Sequence, residues 1–236
     1  MIHRLPLLAL FCTLFAPSAS AQSQGINALP ALPLEARADW EAIGRLNTKG
    51  YNRRGMCSGT LIAPDLVLTA AHCVMGVAGA AVRAEDLHFV AGWFGGDYAG
   101  ASAVASYEVH PKAYDGEGPA RRVLNLAHDL ALLRLETPLR VAPLVLMPDV
   151  APAAAPFASL GYHDLRPHRL SARFDCTGDP GQRMLRLDCP ARPGDSGGPV
   201  LARVGKEWRV VGVVSAAGQG QALAARVGVW VRRGAE

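Results

Sequence analysis

Short apolar runs, each cut off by a turn, constrain the folding of this chain more than any other feature. In "TLIAPDLVLTAAHC", residues 60–73, two β-rich runs are split by Pro64-Asp65, and that pattern predicts a hairpin. Further strand candidates are "DLHFVAGWF" (86–94), "ASAVASYEVH" (101–110), "DLALLRLE" (129–136), "EWRVVGVVSAAG" (207–218) and "RVGVWVRR" (226–233). Helical periodicity is weak, and "TAAHCVMG" (69–76) predicts no more than a short helical turn. Many short strands with regular turn signals predict an all-β barrel or sandwich. The stretch 136–156, "ETPLRVAPLVLMPDVAPAAAP", holds five prolines, which disfavour central strand structure. It is the natural break between two β units.

The chain has 236 residues. Residues 1–21 resemble an export signal: Arg4 starts it, Leu5 to Phe15 is mostly apolar, and Ala19-Ser20-Ala21 is an A-x-A cleavage site. The expected location is therefore periplasmic or extracellular. Residues 22–37 are rich in Ala, Leu and Pro without a period, and read as a loose leader or possible propeptide. Two units follow, 38–140 and 141–236. No later stretch is long and apolar enough for a membrane anchor. The formal charge of +4 is mild and its arginines are scattered, so nucleic acid is not an expected partner. Once Cys12 leaves with the signal, Cys57, Cys73, Cys176 and Cys189 remain. In an exported chain they read as two disulfides, with three pairings open; the local pairs close the shortest loops. No C-x-x-C with paired His argues for a metal, and no cofactor is expected.

Three segments carry chemistry. "CPARPGDSGGPVLARVG" (189–205) sets Asp195-Ser196 among glycines, as a surface turn or as an exposed nucleophile. His72 ends the apolar run "LTAAHC" beside Cys73. Asp129 starts the apolar run "DLALLRL", where a buried carboxylate needs a hydrogen-bonding partner such as an imidazole. Taken singly, each has a bland structural reading. Taken together, they stand in the order His, Asp, Ser.

With those motifs, the chain from about Trp40 to Val231 resembles the chymotrypsin-fold, trypsin-like serine peptidases in a bacterial secreted form. The resemblance implies two packed six-stranded antiparallel β-barrels with the active site between them. It implies Ser196 as nucleophile, His72 as general base and Asp129 as the group that orients the imidazole. It implies an oxyanion hole from the Gly194 and Ser196 N–H groups. Cys57 and Cys73 flank the histidine as in that family, and the expected disulfides are Cys57–Cys73 and Cys176–Cys189. The implied partner is a protein or peptide substrate, cleaved by a monomer through an acyl-enzyme. A catalytically silent binding protein of the same fold, or an enzyme acting on esters, would share much of this pattern.

The chain also departs from the family. It lacks the Ile-Val-Gly-Gly start that pairs with the Asp before the nucleophile, here Asp195, and the family's C-terminal helix is not expected in "VRRGAE". Lys/Arg-specific relatives carry an acidic residue where Pro190 stands, and Glu-specific ones a His where Val214 stands. Pro190, Ala191, Ser215, Ala216, Ala217 and Gly228 are the expected pocket residues. That lining predicts cleavage after small or medium apolar residues. Arg192, turned inward, would attract an acidic side chain, and a displaced Asp188 would serve a basic one.

Overall fold

The computed structural model describes residues 27–48, 55–75, 80–115, 123–147, 156–179, 184–218 and 220–235. The signal read at 1–21 lies outside the described residues. Among the described residues the molecule is all-β, apart from short 3-10 segments, the longest Leu34–Trp40, and one short terminal helix. In the first half, β1 (Ile43–Thr48), β2 (Met56–Ala63), β3 (Leu66–Thr69), β4 (Leu87–Ala91) and β5 (Gly100–Val109) come first. A two-stranded pair follows, β6 (Tyr114–Asp115) with β7 (Val123–Leu124), and then β8 (Ala131–Leu135). Six of these close a barrel in the order β1-β2-β3-β8-β5-β4, with β4 returning to β1, so the barrel has no open edge. The hairpin read at Pro64-Asp65 joins β2 to β3. Phe89 fills the barrel centre, and a Cβ on Gly44 would sit 2.6 Å from its ring.

The second half contributes β9 (Phe157–Gly161), β10 (Ser171–Cys176), β11 (Gly178–Asp179), β12 (Met184–Leu187), β13 (Pro199–Val204), β14 (Glu207–Gly218) and β15 (Gln221–Arg226). They form one antiparallel sheet, β10-β9-β13-β14-β15-β12-β11. Where a closed six-stranded barrel was expected, this sheet has seven strands and no hydrogen-bonded closure. It is nonetheless curled round on itself. Its two edge strands, β10 and β11, are separated by Thr177 alone, so the edges must lie within a few ångströms. Cys176 at the end of β10 is bonded to Cys189 just past β12, which ties the β10 edge to the strand that pairs with β11. The other disulfide is Cys57–Cys73.

One apolar cluster joins the two units. Ile43, Leu66, Leu68 and Leu132 from the barrel meet Leu160, Tyr162, Leu201 and Val213 from the sheet. The proline-rich connector packs Leu139 and Val141 into the barrel core and Met147 into the sheet core.

Two parts of the chain differ from the sequence reading. "RVGVWVRR" is not a strand: β15 ends at its first residue, Arg226, and Val229–Gly234 is a short α-helix, α1. Period-2 valines suggest a strand, but six residues carry too little propensity to outweigh docking. Val231 is fully buried and Trp230 sets its ring against His110. A short terminal helix thus stands where the sequence predicts none.

The second difference is the supposed leader, which is firmly attached over its second half. Leu29 and Leu32 are buried. Leu32 N–H donates to Leu170 O at 2.9 Å, and Ala172 N–H to Pro30 O at 2.9 Å. Arg166 donates to Leu29 O at 2.7 Å and Arg169 to Leu32 O at 2.9 Å. Around Ala31 the segment therefore runs as an extra strand-like rim on β10, before a 3-10 helix over Leu34–Trp40. Leu29→Ala is expected to lower unfolding stability by about 2–5 kcal/mol, as for other fully buried leucines. Urea titration followed by tryptophan fluorescence measures it. A loss within 0.5 kcal/mol, the size seen at ordinary surface sites, would mean that the rim is dispensable.

Candidate active site

β3 ends at Thr69, and the chain then makes a single 3-10 turn over Ala71–Cys73. Ala70 and Ala71 are buried and Cys73 is tied to Cys57, so the backbone at His72 is fixed on both sides. The His72 side chain keeps 29% of its surface exposed. Asp129 lies at the end of another 3-10 turn, Leu126–His128, whose start is capped by Asn125 accepting from Ala127 N–H. It therefore lies two residues before the start of β8 rather than in the strand.

The Asp129 carboxylate is completely buried. Burial of a charge is tolerable only when its lone pairs are filled. Oδ1 accepts the His72 backbone N–H at 2.9 Å, and Oδ2 lies 2.6 Å from His72 Nδ1. Oδ2 also accepts the Ser215 hydroxyl. Ser215 reaches it through an irregularity in the sheet. Val214 pairs with Ala224 and Ala216 with Leu223, so Ser215 is the extra residue of a bulge. Bulges re-aim a side chain in this way beside functional sites.

Ser196 is the one partly exposed residue between Gly194 and Val200. Its loop is packed against the histidine segment. A Cβ on Gly197 would lie 2.2 Å from Thr69 Oγ1 and 3.2 Å from Ala70 N, and Gly197 holds φ +82°. Gly194 holds φ +100°, and a Cβ there would lie 2.4 Å from Tyr162 O. Only glycine meets both demands.

The backbone N–H groups of this loop divide into two sets. Asp195 donates to Arg192 O, Gly197 to Val214 O and Gly198 to Asp195 O. Among the described residues, the Gly194 and Ser196 N–H groups have no protein acceptor. Two unpaired donors on either side of one residue suit an anionic oxygen.

Asp195 is buried, and desolvation pushes its carboxyl up to about 7. Oδ2 accepts Arg192 N–H at 2.9 Å, whereas Oδ1 has no partner among the described residues and faces Gly161.

The other histidines are engaged elsewhere. His128 stacks on His110, with ring centroids 4.7 Å apart, and His168 lies beside Trp93. His163 is buried, and desolvation lowers its basicity. His88 belongs to β4.

Of the expected pocket residues, Pro190 is buried and Ala191 half-buried; Ala191 packs against the second core. Ala216 and Ala217 stand on β14 opposite Leu223 and Ala222 of β15. Gly228 is not there. It lies beyond β15 as the N-cap of α1, next to Val227, which bonds Val211 in the middle of β14. The facing residues are Leu223 and Ala222, which sequence reasoning missed because the β14–β15 register is set only when the two strands pair. The tight β14–β15 hairpin at Gly220 was the available signal. Two charged candidates also point away from this wall. Asp188 accepts from Thr177 N–H and Thr177 Oγ1, both at 2.8 Å. Arg192 forks onto both Asp164 oxygens at 2.7 Å.

Residues 57–213 match the trypsin-like peptidase domain family. Among solved structures, the chain is similar to the thermostable serine protease AL20 from an extremophilic microorganism. That match has 21% identity and a TM-score of 0.67, and covers 83% of this chain and 95% of that one. It is also similar to the protease Anisep from Arthrobacter nicotinovorans, with 18% identity and a TM-score of 0.65, over 82% of this chain and 93% of that one. These likenesses are in fold; the match over 57–213 spans most of the chain and carries the chemistry, and by it the chain belongs to the trypsin-like peptidase domain family and is a serine peptidase.

Proposed function

We propose that this peptidase is an exported endopeptidase working through Ser196, His72 and Asp129. Ser196 Oγ attacks the scissile carbonyl while His72 takes its proton. The carbonyl oxygen becomes an oxyanion between the Gly194 and Ser196 N–H groups. His72 then protonates the leaving amine, an acyl-enzyme remains, and water releases it by the same steps. The observation that carries this reading is the imidazole held by a fully buried carboxylate, His72 Nδ1 to Asp129 Oδ2 at 2.6 Å. A fluorophosphonate probe tests it, because only an activated serine reacts. Labelling at Ser196, located by peptide mass mapping, is the expected result. An unlabelled protein would favour a silent binding protein. Matched ester and peptide substrates separate a peptidase from an esterase.

Residues 1–21 are the export signal in this reading, and the mature enzyme keeps the segment from Leu29 onward. No helix among the described residues is long and apolar enough to cross a membrane. The two units are 38–140 and 141–236.

Specificity follows from what lines the cleft. The residues expected around it, Ala191, Ala216 and Ala217, offer no charge, Asp188 is tied to Thr177, and Arg192 to Asp164. A buried Lys or Glu side chain would lack a partner, which costs several kcal/mol. Small or medium apolar P1 residues are expected to give the highest kcat/KM in chromogenic peptides that differ only at P1. A tenfold preference for Lys or Arg, about 1.4 kcal/mol, would overturn this assignment.

A further inference from the structure

We infer that Ser58 is a positioning residue for the oxyanion hole, its hydroxyl fixing the Gly194 carbonyl and with it the glycine that carries the first unpaired N–H. This rests on the proposed role of Ser196. Ser58 lies in β2 and is fully buried. Its hydroxyl donates to Gly194 O at 2.8 Å and accepts the Tyr162 N–H at 2.8 Å. Its backbone N–H donates to Ser196 O at 2.8 Å, and its own carbonyl accepts from Thr69 Oγ1 at 2.8 Å. One residue of the first barrel therefore holds the carbonyls of both residues whose N–H groups are unpaired.

Peptide planarity converts those contacts into aim. In a trans peptide the C=O and the following N–H point in opposite directions. Asp164 N–H holds Pro193 O at 2.9 Å, which turns the Gly194 N–H away from that side. Gly198 N–H holds Asp195 O at 2.9 Å, which does the same for the Ser196 N–H. The plane between these two is the Gly194–Asp195 peptide: its N–H donates to Arg192 O at 3.0 Å, and the Ser58 hydroxyl is the side-chain group that fixes its carbonyl. Gly194, at φ +100°, has no side chain to restrict its rotation. Without the hydroxyl, Gly194 O is a buried acceptor with no side-chain donor. The loop then gains access to arrangements in which its first N–H points elsewhere.

Ser58→Ala tests this, with Ser58→Thr as the variant that keeps a hydroxyl. Loss of a whole oxyanion donor costs about 10²–10³ in kcat, so loss of its positioning is expected to cost roughly 10- to 100-fold, with KM little changed. The separating readout is a peptidyl trifluoromethyl ketone. Ser196 Oγ forms a bond to the ketone carbon, the hydroxyl proton passes to His72, and the carbonyl oxygen becomes an oxyanion in the hole. In the Ala variant its inhibition constant should rise by the same factor as kcat/KM falls. The hemiketal followed by NMR should ionise at higher pH. A peptide with a methylene in place of the scissile carbonyl makes no oxyanion and should bind as before. The Thr variant should restore all three readouts toward the unsubstituted enzyme. Unchanged kcat in the Ala variant, or equal loss of ketone and methylene peptide, would overturn the inference. Absence of any hemiketal in the unsubstituted enzyme would instead overturn the role of Ser196, and this inference with it.

Discussion

Ser196→Ala is expected to lower kcat by about 10⁶ and leave the fold intact. That factor corresponds to about 8 kcal/mol of transition-state stabilisation. The reason is covalent. Without Oγ there is no acyl-enzyme, and His72 has no proton to accept from the nucleophile. Some rate above the uncatalysed one should survive, because the Gly194 and Ser196 N–H groups belong to the backbone and stay in place. The substitution removes one partly exposed oxygen from a loop held by its backbone: Ser196 O to Ser58 N–H, Gly197 N–H to Val214 O. Stability should therefore hardly change. Turnover of a fluorogenic peptide, with circular dichroism and a thermal melt as controls, measures both. A variant that keeps more than a tenth of the activity would remove Ser196 from the mechanism.

Asp129→Asn should lower kcat by about 10⁴, and the hydrogen bonds around Asp129 say why. Oδ1 accepts the His72 backbone N–H, so an amide there must put its own oxygen at that position. Its NH₂ group then falls where Oδ2 was, against His72 Nδ1 and the Ser215 hydroxyl. A donor facing Nδ1 forces that nitrogen to accept. The ring proton moves to Nε2, which can no longer take a proton from Ser196. The shape is conserved and the tautomer is wrong. Steady-state kinetics on the same peptide give the factor. A loss smaller than tenfold would mean that Asp129 does not set the tautomer.

Much of this site was legible because its parts are short and local. Pro64-Asp65 breaks two β runs, and a hairpin forms there. Glycines bracket Ser196, and two of them hold the positive φ that only such a residue adopts comfortably. Residues 226–233 misled because period-2 valines look alike in a strand and in one turn of helix; Trp230 and Val231 settled it by docking. Leu29 and Leu32 sit in an apolar, proline-rich stretch with no period, and nothing local reveals that β10 offers them an edge.

The sequence by itself determined the all-β class, the hairpin before His72 and the identity and order of His72, Asp129 and Ser196. Turn chemistry and apolar alternation act between neighbours along the chain, so one strand or one loop suffices to express them. The tertiary structure decided which groups meet. It bulged Ser215 toward Asp129 and set Leu223 and Ala222, rather than Gly228, opposite Ala216 and Ala217. It also turned Asp188 and Arg192 onto Thr177 and Asp164. Finally, it placed Ser58 against the Gly194 and Ser196 carbonyls. Alternation states which face of a strand is buried but not which strand covers it. Register, bulges and the pairing of buried polar groups are settled only when both partners are desolvated together.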